Sequence, residues 1–186
     1  MKCIESQEFA GLQQGALEKA EYYECSFTNC DFSESNLSQL LFCECQFTDC
    51  NLSLSKLPET SFQDVSFLRC KFSGTDFSGI KDLLVEFEFF ECMLKYAIFE
   101  SVNIQGTRFD HCDLGEADFS GTNLQRAMFS KCELNRAVFE NSNLNQASFT
   151  GSINVSIDPE RNQIRGAKFD LTQLPGLLQK HQILVD

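Results

Sequence analysis

With 186 residues, a formal net charge of −12, 19 Phe, 10 Cys, three Pro and no Trp, the chain is long enough for a single domain with a sizeable core. Its acidity argues against direct binding of nucleic acid or anionic lipid, because both need Lys and Arg against phosphate. No apolar run reaches the roughly 18 residues of a membrane span, and MKCIESQEF lacks the apolar stretch and cleavage site of a secretory signal, so the chain reads as cytoplasmic with reduced thiols.

From Tyr22 every fifth residue is large and apolar: Tyr22, Phe27, Phe32, Leu37, Phe42, Phe47, Leu52, Leu57, Phe62, Phe67, Phe72 and Phe77. A second register runs Phe89, Leu94, Phe99, Ile104, Phe109, Leu114, Phe119, Leu124, Phe129, Leu134, Phe139, Leu144 and Phe149. A period of five suits neither regular element: it advances a helical side chain by about 140° and swaps sides on a strand. The simplest solution is a chain that turns a corner at each repeat, four corners to a coil, stacking the coils as short parallel strands.

The residue two before each centre should also point inward, into little space. It is small almost throughout, as in Cys25, Cys30, Ser35, Cys45, Thr75, Ala97 and Ala117, with Leu40 as the large exception. Cysteines recur at the coil spacing: Cys25 with Cys45, Cys30 with Cys50 and Cys70, Cys92 with Cys112 and Cys132. Stacked at about 4.8 Å with parallel side chains, they read as core residues and not as disulfides.

Cys112-Asp-Leu-Gly-Glu, Ala117-Asp-Phe-Ser-Gly and Thr122-Asn-Leu-Gln-Arg resemble the A(D/N)LXX motif of pentapeptide-repeat proteins over residues 12–149 and weakly 164–169. The resemblance implies an all-β fold, a right-handed quadrilateral parallel β-helix with a short C-terminal helix. A single domain over 1–186 is expected: repeats at 12–77 and 89–149, a register break at 78–88, an irregular stretch at 150–163, a last partial coil at 164–170 and a C-terminal capping or dimerisation helix at 171–186.

At the first break Phe77 and Phe89 are two residues further apart than two repeats allow, so residues of SGIKDLLVEFE must bulge outward. The second, SINVSIDPERNQIRG, loses the apolar centres and carries the turn signal Asp158-Pro159. In the tail, Thr172 can N-cap a short helix with Leu174, Leu177 and Leu178 in one stripe, followed by Ile183-Leu184-Val185. It should cover the open end of the solenoid, within the molecule or against a second copy. IDPERNQIRGAKF followed by LPGLLQKHQILV resembles the C-terminal end of the Qnr-type fluoroquinolone-resistance branch, and that resemblance implies a tail-to-tail homodimer through Leu174, Leu177, Leu178, Ile183 and Leu184.

Catalytic chemistry finds no support. Cys43 and Cys45 face opposite ways and cannot converge on one ion, and His111 shares a column with Glu91 and Lys131 and not with a nucleophile. A solenoid this narrow is filled by its own side chains and leaves no cleft for a small-molecule substrate. No enzyme activity, metal, cofactor, small-molecule substrate, direct nucleic-acid partner or membrane partner is expected.

The outer columns remain. Glu24, Glu44 and Asp64 repeat at the coil spacing, Glu34 lies nearby in sequence, and these four are the candidate acidic partner-binding residues; Asn103, Asn123 and Asn143 form an amide column. Residues 1–90 hold 15 acidic and 6 basic side chains against 12 and 9 in the remainder. About seven coils give a rod of roughly 34 Å, so a net charge of −12 is about one per 3 Å, half the density of a duplex. The Qnr resemblance implies a DNA mimic acting on a type II topoisomerase, DNA gyrase or topoisomerase IV. The projecting loops of Qnr proteins have no counterpart here beyond 78–88; in this the chain is more similar to their mycobacterial relative. The alternative is a scaffold for an unrelated protein partner.

Overall fold

A computed structural model describes residues 2–81 and 84–182. In chain order the strands are β1 (Lys2–Glu5), β2 (Glu8–Ala10), β3 (Ala20–Tyr23), β4 (Ser26–Thr28), β5 (Leu41–Cys43), β6 (Gln46–Thr48), β7 (Ser61–Gln63), β8 (Val65–Leu68), β9 (Phe87–Phe90), β10 (Arg108–Asp110) and β11 (Met128–Ser130). All pair in parallel, as one sheet in the order β1-β3-β5-β7 and a second in the order β11-β10-β9-β8-β6-β4-β2. Two further sides are built from single bridges, such as Asp31–Asn51–Lys71–Met93–Asp113 and Asn36–Lys56–Asp76–Ile98. The chain is therefore a four-sided parallel solenoid. It begins at Lys2, ahead of the repeat that the sequence places from residue 12.

The corner explains why a period of five works. With the exception of Gly79, the residue two after a centre takes a left-handed backbone, with φ of 51° at Glu24, 53° at Asn29, 54° at Glu34 and so on up the molecule, which swings the chain through a right angle. The centres face in, and Phe27, Phe32, Phe42, Phe62, Phe67, Phe72 and Phe77 are fully buried. On the second face one aromatic column runs without a gap through Phe9, Phe27, Phe47, Phe67, Phe89, Phe109, Phe129, Phe149 and Phe169, with ring centroids 4.5–5.3 Å apart. Offset stacking of this kind adds to the burial of each ring.

Two kinds of corner occur, and they account for the cysteines. At a turn corner the centre's carbonyl receives the amide three residues on, as in Ala97 N→Leu94 O (3.1 Å) and Ala117 N→Leu114 O (3.1 Å). At a bend corner that bond is open, and a side chain from the next coil enters it. Cys50 Sγ accepts from Cys30 N (3.4 Å) and donates to Phe27 O (3.4 Å). Cys92 does the same between Cys70 N and Phe67 O, both at 3.4 Å. Ser152 Oγ spans Cys132 N (3.0 Å) and Phe129 O (2.9 Å), and the Asn162 amide spans Ser142 N (2.9 Å) and Phe139 O (2.7 Å). All the buried cysteines, Cys25, Cys30, Cys45, Cys50, Cys70, Cys92, Cys112 and Cys132, follow bend corners, where a small donor–acceptor group is needed. Alanine follows turn corners, where none is.

At the first break the pairing offset grows from 20 residues to 22, Phe67 to Phe89. Lys81 N still reaches Thr60 O (2.9 Å) and Glu86 N reaches Phe62 O (3.1 Å), so the coil is bonded to the one before it on both sides of the break. The gap in the first face is filled by Phe87, which occupies a position normally small and is fully buried against Phe62 and Phe77 at 6.0 and 6.1 Å. At the second break the register positions Asn154 and Pro159 are not buried; Asn154 takes a left-handed backbone, φ 58°, only three residues after Gly151, and Val155 and Ile157 turn inward and are buried.

The tail is a 3₁₀ turn at Leu171–Gln173, α1 (Leu174–Leu178) and a second 3₁₀ turn at Gln179–His181. Its N-cap is Asp170 and not Thr172: the Gln173 side chain folds back to accept from Asp170 N at 2.9 Å, starting the turn two residues earlier. Gln173 is also the buried residue of the tail, its Nε2 donating to Phe149 O and Ser152 O, both at 2.7 Å. It closes the top of the solenoid core. Gly176 rests on the coil below so closely that a Cβ would stand 1.8 Å from Val155 O.

Candidate protein-binding surface

Glu24, Glu44 and Asp64 occupy one edge of the solenoid, the corner that follows the first face. Each sits at a left-handed position, with φ of 51°, 54° and 52°, and each is exposed. Ser6 begins the edge and donates to Glu24 Oε2 at 3.0 Å. The edge places one carboxylate per coil at about 4.8 Å. Among the described residues none of the three forms an ion pair, whereas Glu18 is paired with Lys2 at 2.6 Å and Asp49 with Arg69 at 2.7 Å. The uncompensated charge is felt by Cys43, whose half-buried thiol is raised by partial desolvation and then by Glu44, Asp64 and Glu24.

Glu34 does not join them. Two corners further along the coil, it lies on the diagonally opposite edge, its amide donating to Ser53 O at 2.9 Å. Proximity in sequence is misleading here because ten residues are half a circuit. Above the register break the acidic edge is replaced by Gly106, Arg126 and Gln146, with Arg126 Nε donating to Gln146 Oε1 at 3.0 Å. On the adjoining face Asn123 Nδ2 donates to Asn103 Oδ1 (2.8 Å) and Asn143 Nδ2 to Asn123 Oδ1 (3.0 Å), an uncharged amide ladder.

The tail exposes a second surface. Leu171, Leu174 and Leu178 are 85%, 42% and 36% exposed, while Leu177 packs against the solenoid core. The sequence stripe therefore splits: Leu177 holds the tail down, and the other two point away with Leu171, which the helical pattern alone did not single out. Ile183 and Leu184 lie outside the described residues. The tail is held by Lys180 to Asp158 at 2.8 Å and to Glu160 at 2.6 Å, and by Ser156 Oγ to Gln179 Oε1 at 2.6 Å.

Among the described residues no group of His, Cys, Asp or Glu is placed to hold a metal ion. Burial pushes the Cys45 thiol up to about 12, and Cys70 reaches about 12 through its Cys50 contact, opposed by Cys92, together with burial. His111 Nδ1 contacts Asp110 Oδ1 at 2.7 Å on the surface, with half the imidazole exposed. No helix among the described residues is long and apolar enough to cross a membrane.

Residues 20–99 and 82–149 match the family model described as pentapeptide repeat region. A trypsin-treated form of QnrB1, a plasmid-mediated fluoroquinolone resistance protein, superposes with a TM-score of 0.64 at 20% identity, covering 100% of this chain and 98% of that one. Full-length QnrB1 superposes with a TM-score of 0.55 at 20% identity, covering 97% and 100%. No protein with a curated description matches the chain in sequence.

Proposed function

Because the chain belongs to the pentapeptide-repeat family, whose repeat leaves function to the outward residues, we propose that it is a non-enzymatic DNA mimic that binds a type II topoisomerase, DNA gyrase or topoisomerase IV, and changes its response to quinolones or toxins. The observation that carries this reading is the unpaired acidic edge Glu24–Glu44–Asp64. Regularly spaced carboxylates on a rigid rod can occupy a basic channel built for phosphates, where charge complementarity speeds encounter and fixes register. Resemblance in fold to a fluoroquinolone resistance protein supports the choice of partner. The chain acts in this reading as a cytoplasmic homodimer, joined through the exposed Leu174 and Leu178 with Leu171 beside them.

Supercoiling by purified gyrase, with and without ciprofloxacin, tests it. Micromolar protein should inhibit supercoiling or restore it in the presence of drug, and Glu24→Lys, Glu44→Lys and Asp64→Lys together should abolish the effect while leaving the circular dichroism unchanged. An indifferent gyrase, or a triple variant as active as the parent, would sink the proposal. Light scattering addresses the dimer separately: Leu174→Asp with Leu178→Asp should halve the mass.

A further inference from the structure

Left-handed corners disfavour large apolar side chains twice over. A Cβ at positive φ crowds the following carbonyl, at roughly 1 kcal/mol, and an outward apolar group gains nothing from burial. Among the described residues only Leu54 (φ 57°), Leu84 (φ 58°) and Tyr96 (φ 60°) break the pattern of polar or glycine corners. They are 57%, 68% and 55% exposed.

Leu84 belongs to the insertion, but Leu54 and Tyr96 share one edge, with Gly74 on the coil between them. The register is kept by Leu54 N→Ser73 O (3.2 Å), Gly74 N→Lys95 O (2.9 Å) and Tyr96 N→Gly115 O (3.1 Å). A Cβ on Gly74 would come within 2.9 Å of Leu54 Cδ2. Leu54 thus lies over the bare Gly74 backbone, and the edge presents Leu54 and Tyr96 as two exposed apolar side chains. Beside it runs a groove of about 450 Å³ lined by Leu54, Leu57, Pro58 and Gly79, with Lys56 and Asp76 offsetting each other in charge. One coil below Leu54 the same edge carries Glu34, and one coil above Tyr96 it carries Glu116, both exposed and, among the described residues, in no ion pair.

We propose that this edge is a docking site for a segment of another protein, one that sets an aromatic or leucine side chain against Leu54 and Tyr96 and a basic residue against each of Glu34 and Glu116. Apolar anchors ringed by charge are the usual make-up of a binding hot spot, with charge setting orientation and anchors setting affinity. The two glutamates stand four coils apart, roughly 19 Å, which a partner helix covers in about 13 residues. This edge is diagonal to Glu24, Glu44 and Asp64, so the two surfaces can be occupied independently, and the proposal stands whether or not a topoisomerase binds the other.

Random peptides of about 16 residues displayed on phage, selected on the full chain and counter-selected on Leu54→Gly, test it. The expected consensus is Lys or Arg at both ends of an apolar centre. By fluorescence anisotropy the synthetic consensus peptide should bind about 10-fold more weakly to Leu54→Gly and to Tyr96→Gly, and about 3-fold more weakly to Glu34→Gln or Glu116→Gln. Glu24→Gln should leave its affinity unchanged. Glycine relieves the left-handed strain, so a loss in the Leu54→Gly and Tyr96→Gly proteins cannot be put down to unfolding. The proposal falls if no consensus emerges, if the consensus lacks basic ends, or if affinity ignores Leu54→Gly. It falls equally if the chain self-associates through this edge, seen as a concentration-dependent mass that Leu54→Gly removes.

Discussion

The solenoid below the insertion and the solenoid above it solve the same packing problem differently. Below, aromatic centres stand on adjacent faces, Tyr22 beside Phe27 and Phe42 beside Phe47, in edge-to-face contact at 5.7 and 5.3 Å. Above, phenylalanine and leucine or isoleucine alternate, so that Phe109 and Phe119 face each other across the core at 6.0 Å with Leu114 and Leu124 between. The corner after the first face changes with them. It is a bend below, with Cys45 Sγ donating to Tyr22 O at 3.4 Å, and a turn above, with Ala127 N bonded to Leu124 O at 2.9 Å. Outside, the same corner passes from carboxylates to Gly106, Arg126 and Gln146. Inner packing and outer charge thus change at one place, and the difference teaches that the insertion is a splice between two versions of the coil.

If so, the splice should be the weakest point to disturb. Phe87 fills the space that a missing first-face centre leaves, and Phe87→Ala should cost about 3–5 kcal/mol in urea unfolding. A two-step transition in that variant, with one half melting first, would sharpen the comparison by showing that the halves fold as separable units; a change below 1 kcal/mol would break it.

The next largest effect distinguishes the corners. Removing the Cys92 thiol strands both Cys70 N and Phe67 O, and Cys92→Ala should cost about 2–3 kcal/mol. Cys92→Ser should recover much of it, since Ser152 bridges the equivalent pair with bonds of 3.0 and 2.9 Å. Thr75→Val is the contrasting change at a turn corner: Leu52 O loses Thr75 Oγ1 at 2.8 Å but keeps Ser55 N, and the cost should stay near 1 kcal/mol. In the native protein Ellman's reagent should reach only Cys3 and Cys43, the two thiols that are not buried, and all ten after denaturation.

Gly176→Ala acts on one end alone. The new methyl would meet Val155 O, and the tail must lift, at about 1–3 kcal/mol. Limited proteolysis should then cut after Lys180, and light scattering should report monomer if the tail joins two copies.

The period of five made the inward centres and the parallel coils legible before any coordinates, because core positions are constrained by volume alone. Cysteine was legible as a core residue, but its reason was not: a bend corner is defined by a partner from the next coil, and that pairing appears only once the coils are stacked. Phe87 was hidden because it breaks the rule of small residues, and Gln173 because a polar residue in a tail gives no sign of being buried. At the candidate acidic surface the column Glu24–Glu44–Asp64 followed from spacing, whereas Glu34 needed the circuit to be closed. The Leu54–Gly74–Tyr96 edge lay outside the pattern altogether, since apolar residues at corners serve neither core nor solubility.

The smallest predicted effect has the opposite sign. Ser55 follows a turn corner, where Phe32 O already receives Ser35 N at 3.1 Å, and the Ser55 hydroxyl is buried with no hydrogen-bond partner among the described residues. A buried hydroxyl without a partner carries its full desolvation cost, so Ser55→Ala should raise stability by up to about 1 kcal/mol. Alanine holds the same place in the coils above, at Ala97, Ala117 and Ala137, each buried beside a turn. The substitution therefore converts one coil of the lower half toward the pattern of the upper half. If Ser55→Ala instead destabilises, the hydroxyl has a partner at that corner, and the rule that turn corners need no side-chain donor is wrong.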